Sequence, residues 1–381
     1  MRRPTQLRLF ALLVLLFCRV CAQEVSAPAS TEAPALTAKS VLKAMHRVGR
    51  WQMSSKIKEK PTDWQMGALY AGISALSLTT GSVEYENWFV EMCDRVSNWQ
   101  LGRYRYYADD QCVGQAYLEL YMRHRDPKML ADVKRQFDAI LKNPPNHSLE
   151  FQTESARRDE WCWCDALFMA PPVWMRLYAA TGNKAYMEFA VERWWKTSDY
   201  LYDKEEHLYF RDNTYFKDRE ANGRKIFWSR GNGWVMGGLV RVLQYLPADH
   251  SSRPRFEQQF REMAAALLAC QGNDGMWRSS LLDPAHYPIS ESSGTGFYCY
   301  AFAYGVNEGL LPLEPYGSAA IKAWHGLVGC VTPQGKLTHA QPVGADPKKF
   351  DVTNSEIYAV GAFLLAGSEM YKLAQRAEST R

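Results

Sequence analysis

The feature that most constrains the fold is a helical period that recurs along almost the whole chain. Apolar residues return three and four positions apart, as in Leu177-Ala180 and Met263-Leu267, which lines them up on one face of an α-helix. The pattern predicts helices over Ala38–Met53, Trp64–Leu78, Glu84–Val96, Gln111–Arg123, Pro127–Lys142 and Asp165–Thr181. It continues over Lys184–Tyr200, Phe227–Leu246, Arg255–Cys270, Gly294–Glu308, Tyr316–Gly329 and Ser355–Lys372. Turn residues fall between them at Thr80-Gly81, Thr181-Gly182-Asn183, Pro247-Ala248-Asp249 and Pro312. Pro171-Pro172 is expected to break or delay the helix that begins near Asp165. Short extended pieces are expected at His207–Arg211 and Tyr215–Phe216. No alternating strand pattern separates the helices, which disfavours a βαβ fold. Six consecutive helical hairpins predict an all-α chain folded as an (α/α)6 barrel, a toroid with a pocket at one end. A superhelical stack of helical repeats gives a similar count, but the chain lacks the fixed-period repeat such arrays show.

The start of the 381-residue chain reads differently. Met1-Arg2-Arg3 is positive, Leu9 to Phe17 is apolar, and Val20-Cys21-Ala22 ends in small residues. This pattern predicts a signal peptide over residues 1–22 and hence an exported protein, periplasmic or secreted. The apolar run is too short to span a membrane. Residues 23–37, rich in Ala, Ser, Pro and Glu, are expected to form a disordered lead-in. Residues 38–381 then make one catalytic-sized domain. Of nine cysteines, Cys18 and Cys21 fall in the leader. Cys93, Cys112, Cys162, Cys164, Cys270, Cys299 and Cys330 remain, an odd number with no CxxC pair, and are read as buried free thiols. Net charge is only +4, without a long basic run, so a nucleic-acid partner is not indicated.

Three loops carry more polar and aromatic residues than closing a hairpin requires. The central one, Arg157-Arg158-Asp159-Glu160-Trp161-Cys162-Trp163-Cys164-Asp165, leads into an apolar run. It sets the Asp165 carboxylate behind two tryptophans and two cysteines. Poor solvation there raises a carboxyl pKa, which suits a general acid; an N-cap role explains the same residue equally well. In Tyr104 to Gln115, the adjacent Asp109 and Asp110 precede a helix; capping accounts for one of them and leaves the other to bind sugar hydroxyls or orient water. In Phe227 to Trp234, Arg230 lies between Trp228 and Trp234, with glycines that permit close approach. Arginine pairs with carboxylates through two parallel hydrogen bonds and tryptophan faces stack on sugar rings, so together they suit an acidic sugar. A structural Arg–Asp pair among core tryptophans is the competing reading. Glu291-Ser292-Ser293-Gly294-Thr295-Gly296 and Asp351 to Glu356 read mainly as helix caps. No HExxH or other metal pair, P-loop or GxSxG elbow is present, so no metal or cofactor is expected.

With these residues in view, the chain resembles the unsaturated glucuronyl and rhamnogalacturonyl hydrolases, glycoside hydrolase families 88 and 105, most closely the latter. The resemblance rests on Trp163-Cys164-Asp165 followed by Ala166 to Pro172, on Trp228-x-Arg230-Gly231-Asn232-Gly233-Trp234, and on Glu291 to Thr295. It covers nearly all of the chain after the leader. It implies an (α/α)6 barrel and an enzyme acting on a 4,5-unsaturated uronic acid at the non-reducing end of an oligosaccharide. It further implies that Asp165 protonates C4 and then deprotonates a water that adds at C5. Asp109 would be the second essential aspartate, with Asp110 its close competitor. Trp228, Arg230 and Trp234 would bind the uronate, and Trp163 and Trp64 would line the ring site. The Arg211-Asp212 pair stands where many members have a histidine or aromatic residue, and Arg211 there favours a more acidic substrate. Two further readings stay open on the residues alone: direct inverting hydrolysis by two aspartates, and a non-catalytic exported sugar-binding protein.

Overall fold

A computed structural model describes residues 36–154 and 157–379. The expected signal peptide, residues 1–22, and residues 23–35 of the expected lead-in lie outside the described residues. Residue 37 belongs to the fold. Thr37 is the N-cap of α1 (Ala38–Ser54), and its hydroxyl and that of Ser40 each accept from the other's backbone N–H, a capping box. The described residues form one compact unit.

The chain then runs through α2 (Trp64–Thr80), α3 (Val83–Met92), α4 (Ala108–Gln111), α5 (Gly114–His124) and α6 (Lys128–Lys142). It continues through α7 (Ala166–Met169), α8 (Pro171–Thr181), α9 (Lys184–Leu201) and α10 (Ser229–Leu243). The last four are α11 (Arg253–Ala269), α12 (Ser292–Asn307), α13 (Leu313–Gly329) and α14 (Ile357–Ser379). Helices α2, α5, α8, α10, α12 and α14 pack each on the next, and α14 packs back on α2, so they close an inner ring. Their nearly continuous apolar sequences follow from that position: α12 is buried from Ser292 through Gly305, whereas outer α6 buries only one stripe. The architecture is the expected (α/α)6 toroid.

Ring closure depends on the absence of side chains at one crossing. A Cβ on Gly361 of α14 would stand 2.2 Å from the Ala68 carbonyl oxygen of α2, and one on Gly72 would meet Gly361 O at 2.6 Å. Glycine lets these two backbones touch.

Two expected helices are interrupted. Gln111–Arg123 divides into α4 and α5, and Asp165–Thr181 divides into α7 and α8, with Pro171 at the first position of α8, where its missing N–H costs nothing. The expected Glu84–Val96 helix ends as a π-helical turn over Cys93–Ser97. Leu208–Tyr209 pairs antiparallel with Tyr202–Asp203, but the extended piece expected at Tyr215–Phe216 is instead a 3-10 turn, Asn213–Tyr215. The cause is turn chemistry: the Asp212 carboxylate accepts from the Thr214 N–H at 2.9 Å and from its hydroxyl at 2.5 Å. All seven cysteines are free, and only Cys270 is more than marginally exposed.

Because each outer helix returns the chain, the inner helices run in one direction and their N-termini meet at one end. The connections reflect this. Inner-to-outer links are short, as in 81–82, 125–127 and 182–183, whereas outer-to-inner links include 143–165, 202–228, 270–291 and 330–356. At the opposite end a buried ionic cluster pins four inner helices. Glu119 Oε1 accepts from Arg176 Nε at 2.8 Å and Arg241 Nη2 at 2.7 Å, and Ser74 Oγ donates to Oε2 at 2.8 Å. Burial alone would raise the Glu119 pKa; the two guanidiniums overcome it and hold the carboxyl down at about 2. Its folded-state pKa lies below the unfolded value, so its contribution to stability is complete above the ordinary glutamate range and is lost as pH falls toward 2. Glu119→Gln leaves two buried guanidiniums without a carboxylate. It is expected to lower unfolding stability by about 3–5 kcal/mol at pH 7, measured by urea titration.

Candidate active site

The inner N-termini carry partial positive charge, an end that favours an anionic group, and carboxylate caps already occupy α2 (Asp63) and α12 (Glu291). Asp165 occupies the N-cap position of α7, yet its side chain makes no capping hydrogen bond. The carboxylate is therefore not committed to the helix. It is 14% exposed, with Oδ1 at 3.5 Å from Cys164 Sγ and at 4.0 Å from Arg211 Nε. Burial raises its pKa, and the charges of Arg211 and then Arg230 pull against that rise.

Asp109, in α4, is more enclosed, at 9% exposed. Its Oδ2 accepts from the Tyr107 hydroxyl at 2.5 Å, while Oδ1 is buried without a hydrogen-bond partner among the described residues. Burial pushes its pKa up to about 7; the Tyr107 hydrogen bond opposes the rise and the charge of Asp165 adds to it. The Tyr107 ring stacks on Trp163 at 5.4 Å between centroids, which joins the loop carrying Asp109 to the loop carrying Asp165.

Asp110 is occupied elsewhere. Its Oδ2 accepts from Tyr104 N at 2.6 Å, its carbonyl from Gly102 N at 2.8 Å, and a Cβ on Gly102 would collide with its carboxyl group. It ties the 98–107 loop to α4. Of the adjacent pair, Asp109 is the one that feels the charge of Asp165, whereas Asp110 feels Asp63.

Arg230, in the first turn of α10, is 1% exposed. Its guanidinium lies over the Trp228 ring at 4.4 Å and the Tyr358 ring at 4.9 Å. It donates to the carbonyl of Gln341 at 2.5 Å and of Pro342 at 2.9 Å. Among the described residues no carboxylate lies within ion-pairing distance of it, so it is a buried cation held by aromatic faces and backbone carbonyls alone. Arg211, by contrast, donates to Asp212 Oδ2 at 2.5 Å and lies 4.2 Å from the Phe151 centroid. Asp109 Oδ1, Arg211 Nε, Arg230 Nε and Trp234 Nε1 are all buried without a hydrogen-bond partner among the described residues. Native structures leave few such atoms, and a ligand that supplies their partners accounts for several of them in one place.

The tryptophans divide by exposure. Trp163, Trp228 and Trp234 are buried: Trp163 supports Tyr107, Trp228 supports Arg230 and donates from Nε1 to Gln341 Oε1 at 3.0 Å, and Trp234 packs under Trp64 at 5.8 Å. Trp64, at the start of α2, is partly exposed and packs on Tyr358 at 5.3 Å. It offers the accessible indole face.

Glu291 caps α12, accepting from Ser293 N at 3.0 Å and Gly294 N at 2.7 Å, and also takes Gln341 N at 3.1 Å. It thereby fixes the segment that holds Arg230. Sequence reasoning missed Gln341, Tyr358, Phe151, Arg158 and the link through Tyr107. Tyr107 and Arg158 sit inside loops already singled out, but Gln341 lies in a Pro/Gly-containing loop without any motif.

The chain is matched by the model for Glycosyl Hydrolase Family 88 over residues 37–374. It belongs to that family. The chain is 39% identical over 327 residues to an unsaturated 3S-rhamnoglycuronyl hydrolase of Formosa agariphila, covering 83% of this chain and 86% of that one. Among solved structures, a glycosyl hydrolase family 88 protein from Bacteroides vulgatus superposes with a TM-score of 0.80 at 30% identity, over 88% of this chain and 99% of the other. The unsaturated glucuronyl hydrolase of Bacillus sp. GL1 matches with a TM-score of 0.64 over 87% of this chain and 95% of that one. At 14% identity this last likeness speaks for the shared fold alone. The chain is thus a family 88 glycosidase on an (α/α)6 toroid.

The buried Asp109 gives a stability test of this geometry. Its folded-state pKa lies above the unfolded value, so its contribution to stability is complete below the ordinary aspartate range and is lost as pH rises through about 7. Asp109→Asn is expected to be more stable than the parent at pH 8, by up to about 4 kcal/mol and with a raised thermal midpoint, and to lie near the parental stability at pH 4. Thermal unfolding at the two pH values checks this.

Proposed function

We propose that this family 88 enzyme hydrolyses oligosaccharides bearing a 4,5-unsaturated uronic acid at the non-reducing end, by hydrating the C4=C5 bond. The observation that carries the reading is Asp165: a buried carboxylate at a helix N-cap, free of capping, between two arginines. Arg230 receives the uronate carboxylate, its Nε–H being unpaired, and Trp64 offers a face to the sugar ring. That carboxylate offsets the Arg230 charge, one of the two that draw the proton off Asp165, so the bound complex favours the acid form. Asp165 gives its proton to C4, and the positive charge that develops at C5 is shared with the ring oxygen. A water adds at C5 and returns a proton to Asp165. The C5 hemiketal opens to a ketone, and the C1 hemiacetal left behind expels the remaining sugar.

Direct inverting hydrolysis is less well supported, because it needs one carboxylate ionised as a base beside a second that is protonated. Burial pushes Asp109 up to about 7 and raises Asp165 as well, so the two carboxyls are shifted in the same direction and are not driven apart into an acid and a base. The chain's likeness to a relative named for 3S-rhamnoglycuronyl substrates supports a rhamno-type sugar next to the uronate. Arg211, placed beside Asp165, fits an acidic substrate. The leader sequence supports export.

Asp165→Asn is expected to slow the loss of unsaturated-uronate absorbance by about 10²–10⁴-fold. In D2O the parent enzyme is expected to place deuterium at C4 of the released uronate, read by NMR. Full activity of the variant, or turnover without deuterium at C4, would sink the mechanism. A panel of lyase-treated pectin, glycosaminoglycan, ulvan and alginate-type fragments tests the substrate, with rhamnose-containing fragments expected to be consumed fastest.

A further inference from the structure

Two arginines on one phenylalanine link the carboxylates. Arg158 lies 4.5 Å from the Phe151 ring centroid and Arg211 lies 4.2 Å from the same centroid. Arg158 leads to Asp109: its Nη1 donates to the Tyr107 hydroxyl at 3.1 Å, and that hydroxyl donates to Asp109 Oδ2 at 2.5 Å. Arg211 leads to Asp165, with Nε 4.0 Å from Oδ1. Neither guanidinium is loose. Arg158 is held by the carbonyls of Gln152 at 2.5 Å and Thr153 at 2.6 Å and lies 5.7 Å from the Trp163 centroid; Arg211 is held by Asp212. Phe151 is itself anchored, its N–H donating to Asn213 Oδ1 at 2.8 Å in the turn that Asp212 caps.

We propose that Phe151 is a positioning residue, whose ring holds Arg158 and Arg211 together so that Asp109 and Asp165 are oriented by a single assembly. The physical basis is that two guanidiniums repel each other. They lie against one ring here because its π system attracts both, and because carbonyls hold Arg158 while Asp212 holds Arg211. The ring stands where the 143–165 connection crosses the 202–228 connection, so it also sets the distance between the loops that supply the two arginines. Phe151 touches neither carboxylate and acts through its neighbours. The inference rests on the reading of Asp165 and Asp109 given above.

The charged and titratable groups around the two carboxylates define what a displaced arginine does. Asp109 feels Tyr107, Asp165, Arg158 and Asp110, and Asp165 feels Arg211, Arg230 and Cys164. Arg158 and Arg211 each hold the nearby carboxyl down against burial. Loosening them moves the pH–rate profile toward higher pH.

Phe151→Leu keeps apolar bulk and removes the aromatic face; Phe151→Tyr keeps both. Phe151→Leu is expected to lower kcat by about 10- to 100-fold with KM little changed and to shift the pH–rate profile upward, and Phe151→Tyr to restore both. Parental kcat and profile in Phe151→Leu overturn the proposal. So does a fall in kcat that comes with a lowered Tm and an unshifted profile, or a Phe151→Tyr enzyme that folds with the parental Tm and stays as slow as Phe151→Leu. Asp165→Asn assayed alongside separates the two levels. Activity retained there overturns the reaction assignment and this proposal with it, whereas an inactive Asp165→Asn beside a fully active Phe151→Leu overturns this proposal alone.

Discussion

A carboxylate taken out of water resists ionisation, and a guanidinium a few ångströms away opposes that resistance. Asp165 is set between these two forces, 14% exposed and 4.0 Å from Arg211, with Arg230 behind. A group that must first give up a proton and then take one back needs neither force to dominate. Much of the surrounding structure serves to maintain that balance. Arg230 is held in its buried place by Trp228, Tyr358 and two carbonyls, and among the described residues no carboxylate forms an ion pair with it. The Gln341 segment that supplies one of those carbonyls is fixed in turn by Glu291 at the N-cap of α12.

The two ends of the ring apply the same chemistry to opposite purposes. At the C-terminal end of the inner helices, Glu119 is saturated by Arg176, Arg241 and Ser74, and the cluster locks α2, α5, α8 and α10 together. At the N-terminal end, Asp109 Oδ1, Arg211 Nε and Arg230 Nε are left unsatisfied. Unsatisfied buried groups cost stability, and they persist where binding a ligand repays the cost. One end of the toroid is thus a clamp and the other a receptor.

Much of this was legible in the residues. Period and turn signals suffice for twelve helices in hairpins, because the inner helices are apolar on nearly every face and the outer ones on one stripe. The resemblance carried by Trp163 to Pro172 and Trp228 to Trp234 singled out segments that the fold gathers at the N-terminal end of the inner helices. What the sequence does not encode locally is which way a side chain turns. Asp109 and Asp110 are neighbours of the same type, and only the packing of Asp110 on Gly102 and Tyr104 N separates them. The tryptophans read as sugar platforms, yet burial makes three of them supports and leaves Trp64 as the accessible face. Tyr215 shows β-like composition, and a single carboxylate at Asp212 winds it into a turn. Phe151 and Gln341 act through contacts far away in the chain, and no local spacing announces them.

The closure of the inner ring sets an order of events. α14 packs on α2 through Gly361 and Gly72, and the Ala38 N–H donates to Glu378 Oε1 at 2.9 Å, so the first and last helices are joined. Each earlier hairpin can form as it is synthesised, but the barrel has an open seam until its final helix has emerged. Bringing α2 and α14 together also closes a loop of nearly the whole chain, the most costly kind in entropy. A truncation at the C-terminus would therefore do more than remove a helix. It would leave the apolar flanks of α2 and α12 facing water, and with them the only frame that aligns six helix ends on one substrate.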